Sequence, residues 1–279
     1  MKGRFYGWYM KTQSDSQTLA VIPAEHRCGN KCNSSIQIIT EENAWNVDFP
    51  IEEYIKRGNK ICIGENQFGE KGIRLKIDEP QLKVNGKLKF GVLTPLKYDI
   101  MGPFAMVPFM ECRHSVWSMK HTVNGSICIN DKIYNFRDAC GYWEGDEGRS
   151  FPKHYAWTHC FFKGGSLMLS VAEIPFVGFG FTGVICSVLW HGKQYRLATY
   201  LGAKPVCIQN GRIVIVQGNM KFEARLLEKS GYDLKAPVAG KMDRMIRENA
   251  ACRVRYRFSV SGKTIFAFET DKASFEYEY

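Results

Sequence analysis

Short runs of alternating apolar and polar residues recur along most of the chain, whereas a helical period is nearly absent. The first four runs cover residues 5–11, 19–22, 35–40 and 45–49. Later runs are separated by dipeptides typical of tight turns, namely Asn85-Gly86, Asn124-Gly125, His191-Gly192, Asn210-Gly211 and Ser261-Gly262. Many short strands at this spacing predict an all-β fold of antiparallel barrel or sandwich type.

Two short segments are the best helix candidates. They cover residues 51–57 and 241–250, and each is long enough for two or three turns at most. Helices of that length cannot form a layer of their own, so we expect them to decorate the sheets.

Two apolar segments interrupt the alternation. Residues 100–110 contain two prolines, and residues 174–190 are uncharged over 17 positions. Pro175, glycines and β-branched residues make the second segment a poor membrane-spanning helix and favour buried strand around a glycine-rich turn. We expect both segments to be core; the alternative is that they line the mouth of a pocket for a long hydrophobic ligand or touch a membrane surface.

Composition narrows the function classes. A chain of 279 residues with 45% apolar and 24% charged residues can bury a sizeable core. The net charge of +10 is spread without a basic run, which disfavours nucleic acid as a partner. The first residues lack the apolar core of a signal peptide, so we expect a cytoplasmic protein with free cysteines. His26, Cys28 and Cys32 have metal-like spacing but no second half-site, and no metal is predicted.

Residues 141–162 concentrate acids, histidines and aromatic residues. Glycines and a Ser-Phe-Pro sequence predict a loop in the first half, and aromatic residues without glycine or proline predict a strand from Tyr155 to Phe162. A polar loop that feeds an aromatic strand is typical of a deep pocket with a few oriented polar groups. The alternative is an aromatic corner that stabilises a sheet edge, with the acids in solvent.

The aromatic strand has an echo near the amino terminus. Tyr6 and Trp8 recur as Tyr155 and Trp157 at one constant offset, and an apolar strand follows each pair. This repeat indicates two similar halves. We place the domains at residues 1–138 and 139–279.

Charged residues directly follow the first apolar segment. If residues 111–121 form a strand, Glu111, Arg113 and Trp117 face one side and His114 faces the other. Glu111 and Arg113 are then close enough to pair. The sequence favours a solvated rim for them over a polar cluster in a cavity.

Two motifs resemble those of the tocopherol cyclase-like family. Phe5-Tyr6-Gly7-Trp8-Tyr9 with Lys11 resembles its opening F-x-G-W-Y, and Gly141-Tyr142-x-Glu144 with Gly148, Phe151-Pro152, Trp157 and Cys160 resembles its central signature. The likeness extends over almost the whole chain. Where the plant enzymes carry tryptophan before the second glycine of the signature, this chain has Glu147.

The resemblance implies a calycin-like architecture of two consecutive lipocalin-like β units with a ligand cavity at or near their junction. Carotenoid hydratases and fungal Diels-Alder cyclases are similar in fold. The family's reaction protonates an isoprenoid double bond and closes a ring on the cation, which implies no cofactor and no metal. Such a reaction needs a protonated acid in apolar surroundings, aromatic faces beside the cation and exclusion of water.

The resemblance also implies roles for single residues. Glu144 is the favoured acid and Asp146 is the alternative. Tyr142 and Trp157 would flank the cation, with Trp8 as their counterpart from the first unit. Outside the matched motifs, Glu111, Arg113 and His114 are candidates for the substrate-binding cavity from their chemistry alone, and His159 is a further candidate. For each of these residues, a hydrogen bond that only ties loop to strand is the structural alternative.

Two functions of different class follow. One is a cofactor-independent cyclase, hydratase or isomerase acting on a prenylated, polyketide or terpenoid molecule. The other is a non-catalytic carrier of a hydrophobic small molecule, and a purely structural module is a weaker third. Catalysis requires a buried acid aimed at the ligand, whereas a carrier only tolerates one. Neither the ligand nor the oligomeric state is indicated by the sequence.

Overall fold

The computed structural model describes residues 3–108, 110–176, 179–228 and 231–279, without the side chains of residues 176 and 179. Most of these residues, 74%, lie in the strands of two antiparallel sheets, and 4% lie in three short 3-10 helices. The predicted all-β class with short decorating helices is therefore confirmed. All ten cysteines are free thiols.

The first sheet has eleven strands in the order β4-β3-β2-β1-β11-β10-β9-β8-β7-β6-β5. Its members are β1 (Arg4–Gln13), β2 (Thr18–Cys28), β3 (Lys31–Thr40), β4 (Ala44–Pro50), β5 (Tyr54–Arg57), β6 (Lys60–Ile63), β7 (Asn66–Gly69), β8 (Gly72–Glu79), β9 (Leu82–Phe90), β10 (Cys112–Ile129) and β11 (Lys132–Gly148). The four strand runs predicted from residue 5 to residue 49 correspond to β1 to β4.

The second sheet has ten strands, nine of them in the order β15-β14-β13-β12-β21-β20-β18-β17-β16, with β19 paired to β20. Its members are β12 (Tyr155–Phe162), β13 (Gly165–Phe176), β14 (Phe179–Trp190), β15 (Lys193–Ala198), β16 (Lys204–Gln209), β17 (Arg212–Gln217), β18 (Met220–Leu226), β19 (Tyr232–Val238), β20 (Lys241–Val260) and β21 (Lys263–Tyr277).

The two sheets repeat one strand arrangement. In each, four consecutive strands form a meander whose first member pairs with the last long strand of the sheet, β1 with β11 and β12 with β21. The repeated Tyr-x-Trp pattern lies on the equivalent strands β1 and β12, but its side chains point to opposite faces of the two strands relative to the core. Trp8 points into the core, whereas on β12 the core residues are Ala156 and Cys160 and Trp157 points to the other face. A slip of one residue reverses every side chain of a strand.

The chain divides into two compact units. The first contains residues 1–97, 114–150 and 234–244, and the second contains residues 98–113, 151–233 and 245–279. The boundary predicted after residue 138 falls inside β11, which stays in the first unit to Gly148. Each unit has its own apolar core, formed by the alternate side chains of its strands.

The two helix predictions are wrong. Only Ile51–Glu53 form a 3-10 helix, and β5 follows it at once. Residues 241–250 begin the 20-residue strand β20, where burial alternates with a period of two: Lys241, Asp243, Met245 and Arg247 are exposed. Pairing of both sides of β20 overrides the local helix propensity of these residues.

Three of the five predicted turns are confirmed, and two are wrong. His191-Gly192, Asn210-Gly211 and Ser261-Gly262 connect consecutive strands with positive φ at both positions. Asn85-Gly86 instead lies inside β9, and Asn124-Gly125 lies inside β10. A Cβ on Gly86 would lie 2.3 Å from the Ser126 carbonyl oxygen, so the glycine allows β9 and β10 to approach closely.

Replacing Gly86 by alanine should therefore lower the free energy of unfolding by about 2 kcal/mol or more, because the new methyl group collides with backbone. Urea denaturation followed by circular dichroism measures this change. Gly29→Ala is the control, since its φ is also positive (+61°) but nothing lies within 4 Å of the added Cβ. An equal loss in both variants would show that backbone conformation, and not close strand approach, fixes Gly86.

The two apolar segments adopt different structures. Residues 174–190 are the end of β13 and all of β14, while the tip of the predicted turn at residues 177 and 178 lies outside the described residues. The buried side chains among those described are Val184, Cys186, Ser187 and Val188, so the expectation of core holds for the second half of β14 alone.

In the first segment, Gly102–Met106 form a 3-10 helix within the second unit, and none of its residues is buried. The expectation of core is therefore wrong for most of this segment: Ile100 and Met101 are its buried members among the described residues, and Met106 is 83% exposed. Arg196 fixes this segment by donating to the carbonyl oxygens of Tyr98 and Asp99, at 2.6 Å each.

Candidate functional site

The candidate site begins with the last third of β11. The loop predicted over the first half of residues 141–162 is wrong up to Gly148, because β11 continues to that residue and pairs with β1. Side chains therefore alternate along the motif. Trp143 faces the core of the first unit, and Tyr142, Glu144 and Asp146 face the opposite side of the sheet.

The two glycines of the motif make room for the aromatic core. A Cβ on Gly145 would lie 2.7 Å from Trp8 and 2.8 Å from Trp117, and one on Gly141 would lie 2.2 Å from His121. These glycines are therefore required by packing on the core face. The strand remains regular because its pairing with β1 is continuous from Cys140 to Gly148.

Three tryptophans pack together on this core face. The ring centroids of Trp8 and Trp143 are 4.9 Å apart in an edge-on arrangement, and Trp117 stacks on Trp143 at 5.2 Å. The indole N–H of Trp8 donates to the Tyr6 hydroxyl at 2.8 Å. Trp8 and Glu144 therefore lie on opposite faces of the sheet, Trp8 on the core face and Glu144 on the other.

His114 of β10 lies between the two carboxyl groups on the other face. Its Nδ1 is 3.0 Å from Oδ1 of Asp146 and forms a hydrogen bond. Its Nε2 is equally close to Oε2 of Glu144, at 3.0 Å. This oxygen does not lie along the Nε2–H direction, so the contact is an ion pair without a directed hydrogen bond. The Tyr142 hydroxyl donates to the same Oε2 of Glu144. The four side chains form a continuous polar chain across β10 and β11.

Electrostatics favour a proton on this imidazole. Burial alone would lower the pKa of His114, but the charges of Glu144 and Asp146 and the hydrogen bond with Asp146 outweigh it, and the pKa is raised well above 6.5. Burial and then the charge of Glu144 raise the pKa of the Tyr142 hydroxyl well above its usual value. Two other histidines behave oppositely, since burial lowers the pKa of His26 and of His121 to about 4.

Exposure is graded along the polar chain. The Asp146 side chain is 24% exposed, those of His114 and Glu144 are 9% and 5% exposed, and Tyr142 is fully buried. Tyr9 of β1 is the direct cross-strand neighbour of Glu144 and is also buried. A buried titratable group whose pKa is shifted by specific charged partners, as for His114, is a candidate for acid–base chemistry.

The other predicted site residues lie in the second unit. Trp157 and His159 are buried on the face of β12 that points away from that unit's core, and His159 contacts Phe161 edge-on at 4.6 Å. Glu276 lies directly across from Trp157 and accepts a hydrogen bond from Tyr155 at 2.5 Å. Glu111 directly precedes β10, Arg113 is the second residue of that strand, and both are half-buried.

The described residues contain no group of three histidine, cysteine, aspartate or glutamate side chains placed to hold a metal ion. None of their helices has the length and apolar character needed to cross a membrane.

Sequence reasoning missed two features of this site. The first is Tyr9, which the sequence pattern did not identify as a neighbour of Glu144 because that requires the register between β1 and β11. The central place of His114 depends on pairing of the long consecutive strands β10 and β11, which brings it beside residues 30 and 32 positions later in the chain. The sequence pattern indicated only that His114 and Trp117 lie on opposite faces of β10.

No protein-family model matches the chain, and no curated protein matches its sequence. Solved structures are similar in fold. Kievitone hydratase from Nectria haematococca is 9% identical with a TM-score of 0.59, covering 99% of this chain and 89% of the hydratase. CghA is 8% identical with a TM-score of 0.63, covering 99% and 88%; CghA with Sch210972 gives 0.62 at the same identity and coverage. These similarities show a lipocalin-like fold.

Proposed function

We propose that the protein is an acid–base catalyst of the hydratase or cyclase type, acting on a hydrophobic prenylated or terpenoid-like molecule. The observation that carries this proposal is one buried imidazole held between two carboxyl groups, with its pKa raised. The motif resemblance to the tocopherol cyclase-like family supports it, as does the similarity in fold to kievitone hydratase.

The proposed chemistry needs only proton transfer. The protonated His114 passes its Nε2 proton to Glu144, which delivers it to a carbon of the substrate double bond. Water or a substrate hydroxyl then adds to the cation, and the proton that it loses returns to the pair. The net reaction is addition of water or isomerisation by ring closure. Tyr9 and Tyr142 are the aromatic neighbours of Glu144 on this face.

A carrier function is the second candidate, and one observation favours it. The same four side chains tie β10 to β11 through buried contacts, so the cluster also makes sense as a structural network. In that case the hydrophobic ligand would be held and released unchanged. Cytoplasmic location, peripheral membrane contact and the lack of a nucleic-acid partner stay predictions.

Native mass spectrometry distinguishes these two functions. The small molecule that co-purifies with the wild type would be identified and compared with that held by Glu144→Gln, which keeps the side-chain shape. An enzyme should convert a prenylated phenol, polyene or terpenoid, while the variant only holds it. An unconverted lipid held equally by both proteins would contradict catalysis and support a carrier.

A further inference from the structure

The two contacts of the His114 ring, with Asp146 and with Glu144, differ in hydrogen-bond geometry. Nδ1 makes a directed hydrogen bond to Asp146, whereas the Nε2 contact with Glu144 is short but off-line. The proton on Nδ1 is therefore held in place, and the proton on Nε2 is the less constrained one. The two partners also differ in surroundings, since Asp146 is the more exposed carboxyl group.

We propose that Asp146 is the positioning residue of this site: it holds the Nδ1–H of His114 and so keeps Nε2 close to Glu144, at 3.0 Å. This inference rests on the proposed function for its catalytic meaning. It assigns different roles to the two carboxyl groups that the sequence offered as alternative acids. Glu144 exchanges the proton, and Asp146 fixes the ring.

The physical reason is the tautomer of the neutral ring. When His114 gives up one proton, a neutral imidazole keeps the other on a single nitrogen, and a hydrogen-bond partner decides which. A carboxylate beside Nδ1 can only accept, so the remaining proton stays on Nδ1 and Nε2 becomes the acceptor. The proton released by the substrate then returns to Nε2, next to Glu144.

Nitrogen NMR of the histidine rings tests this assignment without any ligand. Six histidines are present, and His114 is assigned by the signals lost in His114→Asn. At about pH 8, where an ordinary histidine is neutral, wild-type His114 should carry protons on both nitrogens. In Asp146→Asn the amide can donate to Nδ1, so the ring should lose a proton and keep the other on Nε2.

Two comparisons sharpen this test. Glu144→Gln should also lose the doubly protonated ring but keep its proton on Nδ1, because Asp146 is intact. Asp146→Glu should restore the wild-type pattern if it folds with the carboxylate in reach. Asp78→Asn is the control, since Asp78 is a largely exposed acid of the same unit, and it should change nothing.

A neutral His114 that keeps its proton on Nδ1 in Asp146→Asn would overturn the positioning role, and so would an unchanged doubly protonated ring. These outcomes are separate from those for the proposed function. If Glu144→Gln converts the substrate like the wild type while the NMR pattern is as expected, Asp146 orients His114 in a binding site and not in a catalytic one.

Discussion

Trp143→Ala is expected to lower the free energy of unfolding of the first unit by about 3 to 5 kcal/mol. Trp143 has no exposed surface, and its ring contacts both Trp8 and Trp117. Truncation removes this apolar contact area and leaves a cavity that β1 and β11 cannot close, because their backbones are paired. Urea denaturation followed by far-ultraviolet circular dichroism measures the loss, and hydrogen exchange locates it in the unit.

Two variants calibrate this result. Trp143→Phe should cost less, since it keeps a large ring and removes a buried indole N–H that has no acceptor among the described residues. Trp45→Ala should also cost less, because Trp45 is only partly buried at the border of the same core. If Trp143→Ala lost no more stability than Trp45→Ala, the tryptophan cluster would not be the centre of this core.

Much of the fold could be predicted because a half-buried β-strand is visible in a short stretch of sequence as alternating apolar and polar residues. Alternation from residue 5 to residue 49 gave the first meander, and dipeptides such as His191-Gly192 marked true turns. Asn85-Gly86 has the same local appearance, yet Gly86 lies in a long strand because a neighbouring backbone approaches it. The difference between a turn and a close approach depends on a partner strand that a local pattern does not contain.

The candidate site could be predicted only in part, because the role of its glycines also depends on residues of other strands. Glu144 and Asp146 could be singled out from a motif, but the glycines among them suggested a loop. In the structure Gly141 and Gly145 serve the opposite face, where they accommodate His121 and the tryptophans. Recognising the strand would have shown that Tyr142, Glu144 and Asp146 share one face.

Loss of the His114 imidazole is expected to have the largest effect on function. If the proposed chemistry is correct, His114→Asn should lower the rate of substrate conversion roughly 100-fold to 10,000-fold, the usual contribution of a general acid. The wild-type rate should also persist well above pH 6.5, because a group with a raised pKa keeps its proton until the pH passes that value. The rate should then fall as pH rises through the pKa of His114.

Steady-state rates over a range of pH, with the substrate identified by mass spectrometry, check both expectations. His191→Asn is the matched control, since His191 is an exposed residue of the turn between β14 and β15. Added imidazole should restore part of the rate of His114→Asn, because a free base can occupy the vacated space and carry the proton. Wild-type conversion by His114→Asn would rule out the imidazole as the source of the proton that Glu144 delivers, and a folded variant that free imidazole fails to restore would point to a purely structural contact.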